Sequence, residues 1–94
     1  MTLLPDPSDA VFRALADPNR RRMLDLIHEQ PGINVGELTA HFPYSRFAVM
    51  KHLRQLRAAD LVVSRRVGKA RRLFLNPVPL KIIHDRWLST YSAR

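Results

Sequence analysis

Residues 45–57 read SRFAVMKHLRQLR. Val49, Leu53 and Leu56 recur at the i, i+4 and i+7 spacing of one helix face, and Ser45 is a favourable N-cap residue. The pattern predicts a helix with one apolar face. The side chains that it leaves mainly off the apolar stripe are Arg46, Met50, Lys51, Arg54 and Arg57.

Residues 61–75 read LVVSRRVGKARRLFL, where the pattern changes from helix to strand. Two β-rich runs flank Gly68-Lys69, and Asn76-Pro77 follows the second run. This spacing predicts a β-hairpin. Its tip consists almost entirely of arginine and lysine.

Two further helices are predicted upstream, and they meet at Asp17-Pro18. We expect Ser8 or Asp9 to cap the first, and Pro18 to occupy the first position of the second, which stops before Pro31-Gly32. The apolar stripe of the first helix is Val11, Phe12 and Leu15.

A third short helix is expected through Glu37, Leu38 and Phe42, after an extended piece at Ile33-Asn34-Val35. The whole chain, 1–94, is then one mainly α domain with a small β-hairpin, a winged helix-turn-helix fold. Its helix-turn-helix covers about 35–58, its wing about 61–76 and its last helix about 78–92. That last helix carries an apolar stripe of Leu80, Ile83, Trp87, Leu88 and Tyr91.

The charge of the chain is concentrated in the predicted helix and hairpin. Sixteen Lys and Arg stand against eight Asp and Glu, which gives a formal net charge of +8. Residues 45–75 contain nine of the basic residues and a single acid, Asp60, so this segment carries the whole net charge. Such a distribution points to a polyanionic partner, although a charged helix face is more often merely solvated.

Several function classes are excluded by what the sequence lacks. There is no cysteine, which rules out disulfides, thiolate metal sites and cysteine nucleophiles. No carboxylate pair, Ser/His/Asp arrangement or Gly-rich phosphate loop suggests an enzyme or a cofactor site. His28, His41 and His84 lack the spacing of a metal pair on one helix, so we assign no metal.

The sequence also predicts where the protein acts. No apolar run is long enough to span a membrane, and residues 1–6 lack the basic and apolar regions of a signal peptide. We expect a cytoplasmic protein with no membrane partner.

Two stretches resemble a known family. Residues 11–24, VFRALADPNRRRML, are similar to the opening signature of ArsR/SmtB-type regulators, and residues 48–56, AVMKHLRQL, resemble their recognition helix. The likeness covers about residues 10–76. Residues 42–53, with LNPVP at 75–79 and HDRW at 84–87, further resemble a metal-independent branch often encoded beside START-like (SRPBCC) proteins.

The resemblance implies a homodimeric repressor that binds a near-palindromic operator in double-stranded DNA. It also implies a dimer interface formed by the first and last helices. That interface would contain the two terminal apolar stripes: Val11, Phe12, Leu15, Leu80, Ile83, Trp87, Leu88 and Tyr91.

Two departures from the family pattern stand out. The metal sensors of the family use cysteines near the DNA-binding helices or Asp and His pairs on the last helix, where this chain offers only His84-Asp85. We therefore expect no metal site. Asp60 stands where relatives usually have glycine, so strain is expected at the end of the recognition helix.

The predicted DNA contacts fall into two groups. Those on the recognition helix are Ser45, Arg46, Phe47, Met50, Lys51, His52 and Arg54. Those on the wing are Arg65, Arg66, Lys69, Arg71 and Arg72.

Alternatives remain for individual residues. Phe47 and Met50 could pack inward instead of touching bases, and His52 could satisfy a partly buried polar position. The run Arg20-Arg21-Arg22, unfavourable at a helix N-terminus, could be surface charge or could touch the DNA backbone. Trp87 and Tyr91 could line a pocket for a small-molecule effector instead of a dimer contact.

Two other functions compete with that of a regulator. An RNA-binding or ribosome-associated protein would show comparable affinity for structured RNA. A protein-interaction module could use the fold without nucleic acid, although the basic wing argues against it.

Overall fold

The computed structural model describes residues 6–91, so the predictions on residues 1–5 and the predicted end of the last helix at residue 92 lie outside the described part. The helices are α1 (Pro7–Leu15), α2 (Pro18–Glu29), α3 (Val35–Thr39), α4 (Arg46–Ala58), α5 (Val78–Ile83) and α6 (Ser89–Tyr91). A π-helical segment, His84–Leu88, joins the last two. The strands are β1 (Ile33–Asn34), β2 (Val62–Val67) and β3 (Ala70–Leu75).

The helix starts follow from capping chemistry, with one correction to the expected caps. Helix α1 is capped by Asp6, whose carboxylate accepts from the Ser8 amide, and Pro7 takes the first helical position. Asp9 completes a capping box by accepting from the Asp6 amide, so neither Ser8 nor Asp9 is the cap. Asp17 caps α2 through its carboxylate, which accepts from the Asn19 amide, and Pro18 takes the first helical position.

The third helix is shorter than the sequence suggested. Asn34 and Glu37 form a capping box at its start, and it ends at Thr39. Phe42 therefore lies in the turn between α3 and α4 rather than in the helix.

The hairpin is extended by a third strand that the sequence did not pair. The sheet is antiparallel with the order β1-β3-β2, and Ile33 lies opposite Leu73. Strands β2 and β3 meet in a two-residue turn, where Gly68 has φ +63°, a conformation that glycine adopts without strain. The short strand β1 thus anchors the base of the wing to the helical body.

One hydrophobic core holds the helices and the base of the sheet together. The apolar face of α4 enters it with Val49, Leu53 and Leu56, as the spacing predicted. Its most deeply buried side chains are Met23, Leu26, Ile27, Leu38, Leu56, Leu61, Leu73 and Val49. Both terminal helices contribute, since Val11 and Ile83 are also buried.

No helix within residues 6–91 is both long and apolar enough to cross a membrane.

Candidate nucleic-acid interface

Both ends of helix α4 are held by side-chain hydrogen bonds, one from its N-cap residue and one to the residue that follows its C-terminus. The Ser45 hydroxyl accepts from the Ala48 amide at 3.2 Å. After the C-terminus, Asp60 has φ +60°, the left-handed conformation expected at this position. Its carbonyl accepts a hydrogen bond from the Asn76 side chain at 2.8 Å, which ties the end of α4 to the end of β3.

The face of α4 that points away from the core is basic and exposed. Phe47 is 70% exposed, Lys51 and Arg54 are exposed, and Lys51 Nζ lies 6.0 Å from the centre of the Phe47 ring. Arg46 is exposed in the first turn. Gln55, which the sequence analysis did not single out, is exposed on the same face because it follows Lys51 by four residues.

Two predicted contact residues of α4 are engaged inside the protein. Met50 is half-buried and packs against the hydrophobic core. His52 is half-buried, with Nδ1 3.5 Å from Arg20 Nη1 and 4.0 Å from an Asp17 oxygen. Both residues therefore contribute to packing on the flanks of α4, and Met50 in particular is partly withdrawn from the exposed face.

The turn before α4 is aromatic. The rings of Phe42 and Tyr44 lie 5.3 Å apart, and Tyr44 lies 6.1 Å from His52. Burial raises the pKa of Tyr44, and the negative charge of Asp17 adds to the effect. Within residues 6–91, the buried Tyr44 hydroxyl has no hydrogen-bond partner from the protein.

The arginine run at the start of α2 is explained mainly by the end of α1. Arg20 donates from Nε to the Ala14 carbonyl at 2.7 Å and from Nη2 to the Arg13 carbonyl at 3.0 Å. Arg21 donates to the Leu15 carbonyl at 2.6 Å. The run stands at an unfavourable helix N-terminus because two of its members satisfy the carbonyls at the neighbouring helix C-terminus.

Asp17 offsets the charge of this cluster. Burial pushes its pKa upward, but hydrogen bonds from the Asn19 and Arg20 amides, with the charges of His52 and Arg20, outweigh burial and lower the pKa. Asp17 therefore remains an anion beside Arg20, whose Nη1 lies 3.8 Å away.

The wing places its arginines in directly opposed pairs. Arg65 lies opposite Arg72, and Arg66 lies opposite Arg71. Two of the four are held by neighbours: Arg71 donates to the Ser64 hydroxyl at 3.2 Å, and Arg72 donates to the Gly32 carbonyl at 3.0 Å. Like charges directly opposite each other destabilise a strand pair, so this tip is suited to an anionic partner.

Helix α4 and the wing share a groove. Its lining includes Arg54 and Arg57 of α4, Val63 and Ser64 of β2, and Asp60 between them. Arg54 and Arg57 of α4 and the base of the wing therefore border one continuous surface.

The terminal helices carry an exposed aromatic face on another part of the protein. Phe12 packs edge-on against Trp87 with ring centres 5.6 Å apart, and Trp87 packs against Tyr91 at 5.7 Å. These rings are 44%, 49% and 75% exposed, respectively. Of the residues predicted for a dimer interface, Val11 and Ile83 are instead buried within the chain itself, and Leu15 and Leu80 pack partly against its core.

No group of three His, Cys, Asp or Glu side chains within the described residues is arranged to hold a metal ion. His84 Nδ1 lies 3.2 Å from an Asp85 oxygen, and both side chains are exposed. They form an ion pair at the surface when His84 is protonated.

Comparisons with known proteins agree with this geometry. Residues 15–65 match the family model "Helix-turn-helix domain". The chain is 40% identical over 86 residues to the HTH-type transcriptional regulator YuzN of Bacillus subtilis (strain 168). The alignment covers 85% of this chain and 94% of that protein. It is 34% identical over 59 residues to the transcriptional repressor SdpR of the same organism, covering 63% of this chain and 64% of that protein.

The fold is also that of a solved regulator. An ArsR-like transcriptional regulator from Rhodococcus sp. RHA1 superposes with a TM-score of 0.82 at 31% identity, over 93% of this chain and 78% of that one. The predicted mainly α winged helix-turn-helix fold is thereby confirmed, and the function is that of a DNA-binding regulator rather than an enzyme. The chain belongs to the ArsR family of winged helix-turn-helix transcriptional regulators.

Proposed function

We propose that the protein is a sequence-specific repressor that binds a near-palindromic operator as a homodimer in the cytoplasm. The observation that carries the proposal is the exposed basic face of α4, bordered by the wing. A helix of ordinary diameter fits the major groove, where each base pair presents a distinct pattern of donors and acceptors.

In this arrangement Arg46, Phe47, Lys51 and Arg54 read base edges, and Gln55 joins them on the same face. Ser45, Met50 and His52 support the helix from its cap and flanks. The wing contributes phosphate contacts through Arg65, Arg66, Lys69, Arg71 and Arg72.

A second copy of the chain is the proposed occupant of the terminal aromatic face. Phe12, Trp87 and Tyr91 form a contiguous exposed aromatic cluster, and such clusters on soluble proteins mark interaction sites. Leu88 is 45% exposed beside them. A two-fold axis through this face would present two α4 helices to successive half-sites of one duplex.

The terminal face can be tested separately from the DNA-binding face. Tyr91→Glu adds a charge at the most exposed ring and should convert the dimer to a monomer in sedimentation equilibrium. The matched control is Phe47→Ala, which removes an exposed ring from α4 and should leave the dimer intact while weakening DNA binding. A Tyr91→Glu protein that stays dimeric would place the dimer contact elsewhere.

Two finer parts of the proposal rest on the resemblance described above. They are membership of the metal-independent branch and the repressor role, for which the likeness to SdpR is further support. Release from DNA would then require a signal other than a bound metal, and a small-molecule effector is one candidate.

Binding measurements distinguish this function from RNA binding. Fluorescence anisotropy would compare a DNA duplex with a structured RNA of equal length, between about 50 and 200 mM salt. We expect tighter binding to the duplex, with the logarithm of affinity falling linearly with the logarithm of salt concentration. Equal affinity for the RNA would favour the RNA-binding alternative.

A further inference from the structure

A polar cleft separates the exposed face of α4 from the junction of α1 and α2. Its volume is about 490 Å³, and it is lined by Arg13, Arg20, Ala48, Lys51, His52 and Gln55. Three of these side chains, those of Arg13, Arg20 and Lys51, are basic, and none is acidic. The lining is therefore suited to a small, strongly anionic group.

Arg20 is held in position before any ligand arrives. Its Nε and Nη2 groups donate to the carbonyls at the end of α1, and its side chain is only 17% exposed. A guanidinium has five N–H donors. The two carbonyls take two of them, and Nη1 lies 3.5 Å from His52 Nδ1 and 3.8 Å from an Asp17 oxygen, so at least one donor remains for an anion. Because the side chain is already ordered, binding an anion here requires little further loss of conformational freedom.

Arg13 and Lys51 add exposed positive charge to the lining of the cleft. Both are exposed, and within residues 6–91 neither side chain has a hydrogen bond or an ion pair. Asp17 lies behind Arg20 and offsets part of its charge, but it does not line the cleft. An anion in the cleft thus faces an excess of positive charge.

The position of the cleft identifies the anion. Lys51 and Gln55 belong both to its lining and to the exposed face of α4. When a helix lies in the major groove, the protein on its flanks faces the sugar-phosphate strands that border the groove.

We propose that this cleft binds one backbone phosphate of the DNA strand that borders α4, with Arg13 and Arg20 as its principal donors. The inference rests on the proposed function and adds α1 and α2 to the DNA-binding surface. The phosphate contact fixes the register of α4 in the groove without reading sequence.

The test compares two single-charge variants that differ in location. Arg13→Gln removes a charge that lines the cleft, whereas Arg22→Gln removes another exposed charge, from α2 outside the cleft. Because the proposed complex is a homodimer, Arg13→Gln removes one phosphate contact per chain and two per complex, which should lower the salt slope by about 1.8 and weaken binding about 30-fold at 0.15 M salt, equally at specific and non-specific duplexes. Arg22→Gln should have the same salt slope and the same affinity as the wild-type protein.

Ethylation interference locates the contact on the DNA. For the wild-type protein and for Arg22→Gln, ethylation of one phosphate beside each position where α4 lies in the groove should interfere with binding. Ethylation of the same phosphate should not affect binding of Arg13→Gln. If both variants bind and interfere alike, the cleft contacts no phosphate, although the proposed function stands. If the wild-type protein binds no DNA duplex in preference to any other, the proposed function is wrong, and the cleft proposal is wrong with it.

Discussion

Replacing Arg66 with threonine should change stability and DNA binding in opposite directions. Arg66 is exposed on β2 directly opposite Arg71, and side chains so placed have Cβ atoms about 5 Å apart. Threonine keeps the strand propensity of the position and removes one of the two like charges.

The size of both effects follows from the pairing. Removing a directly opposed like-charge pair is worth about 0.5 kcal/mol, which corresponds to a rise in Tm of about 2–4 °C for a domain of this length. Losing one phosphate contact in each chain of the proposed dimer should weaken binding about 30-fold at 0.15 M salt.

Thermal unfolding followed by circular dichroism measures the first effect, and fluorescence anisotropy with duplex DNA measures the second. The stability gain should shrink at about 1 M salt because the Debye length falls to about 3 Å. Val67→Thr is the matched control for stability, since it places threonine at an exposed, uncharged position of the same strand.

Two results would refute this reasoning. If Arg66→Thr loses stability along with affinity, then Arg66 stabilises the folded wing and is not held there for a ligand. If affinity and salt slope are both unchanged, the wing tip does not contact phosphate.

Three further predictions concern the supports of the interface. Asp60→Gly should relieve the left-handed strain and raise stability by about 0.5 kcal/mol, whereas Asp60→Ala should lower it, as measured by urea unfolding. Arg20→Gln should cost about 2 kcal/mol in the same assay because two charged hydrogen bonds to α1 are lost, whereas Arg22→Gln should leave stability unchanged. Because the folded pKa of Asp17 is lowered, its ionisation stabilises the protein above its unfolded pKa, and that stability is lost as the pH falls through the folded pKa. Asp17→Asn should therefore have a lower free energy of unfolding than the wild-type protein at pH 7, and the difference between the two proteins should narrow below about pH 4. A difference that is as large below about pH 4 as at pH 7 would contradict the pKa shift.

The periodic and capping signals predicted most of the fold. The spacing of Val49, Leu53 and Leu56 placed α4 and its buried face, and Gly68-Lys69 placed the turn of the hairpin. Such local patterns record which face of an element is buried. Asp60 is a different case, since the strain expected there came from the resemblance to relatives that usually have glycine at this position, and Asp60 has φ +60°.

Contacts between distant segments of the chain could not be predicted from the sequence. Nothing local shows that Ile33 pairs with Leu73, because strand pairing is settled by tertiary packing. The roles of Arg20 and Arg21 were also missed, since their acceptors are carbonyls of another helix. Apolar periodicity likewise could not separate Val11, which is buried in the core, from its exposed neighbour Phe12.

The proposed site could be predicted only in part. Charge concentration identified α4 and the wing, and the four-residue spacing from Lys51 could have identified Gln55. Arg13 carried no signal of its own, because its place in the cleft depends on how α1 packs against α4.

The most direct test is selection of binding sites from random duplex DNA by the purified protein, with sedimentation equilibrium of the complex on the selected duplex. We predict enrichment of an inverted repeat and a complex that contains two chains per duplex. Salt-sensitive binding with no enriched motif, or a single chain on an asymmetric site, would contradict a dimeric, sequence-specific regulator.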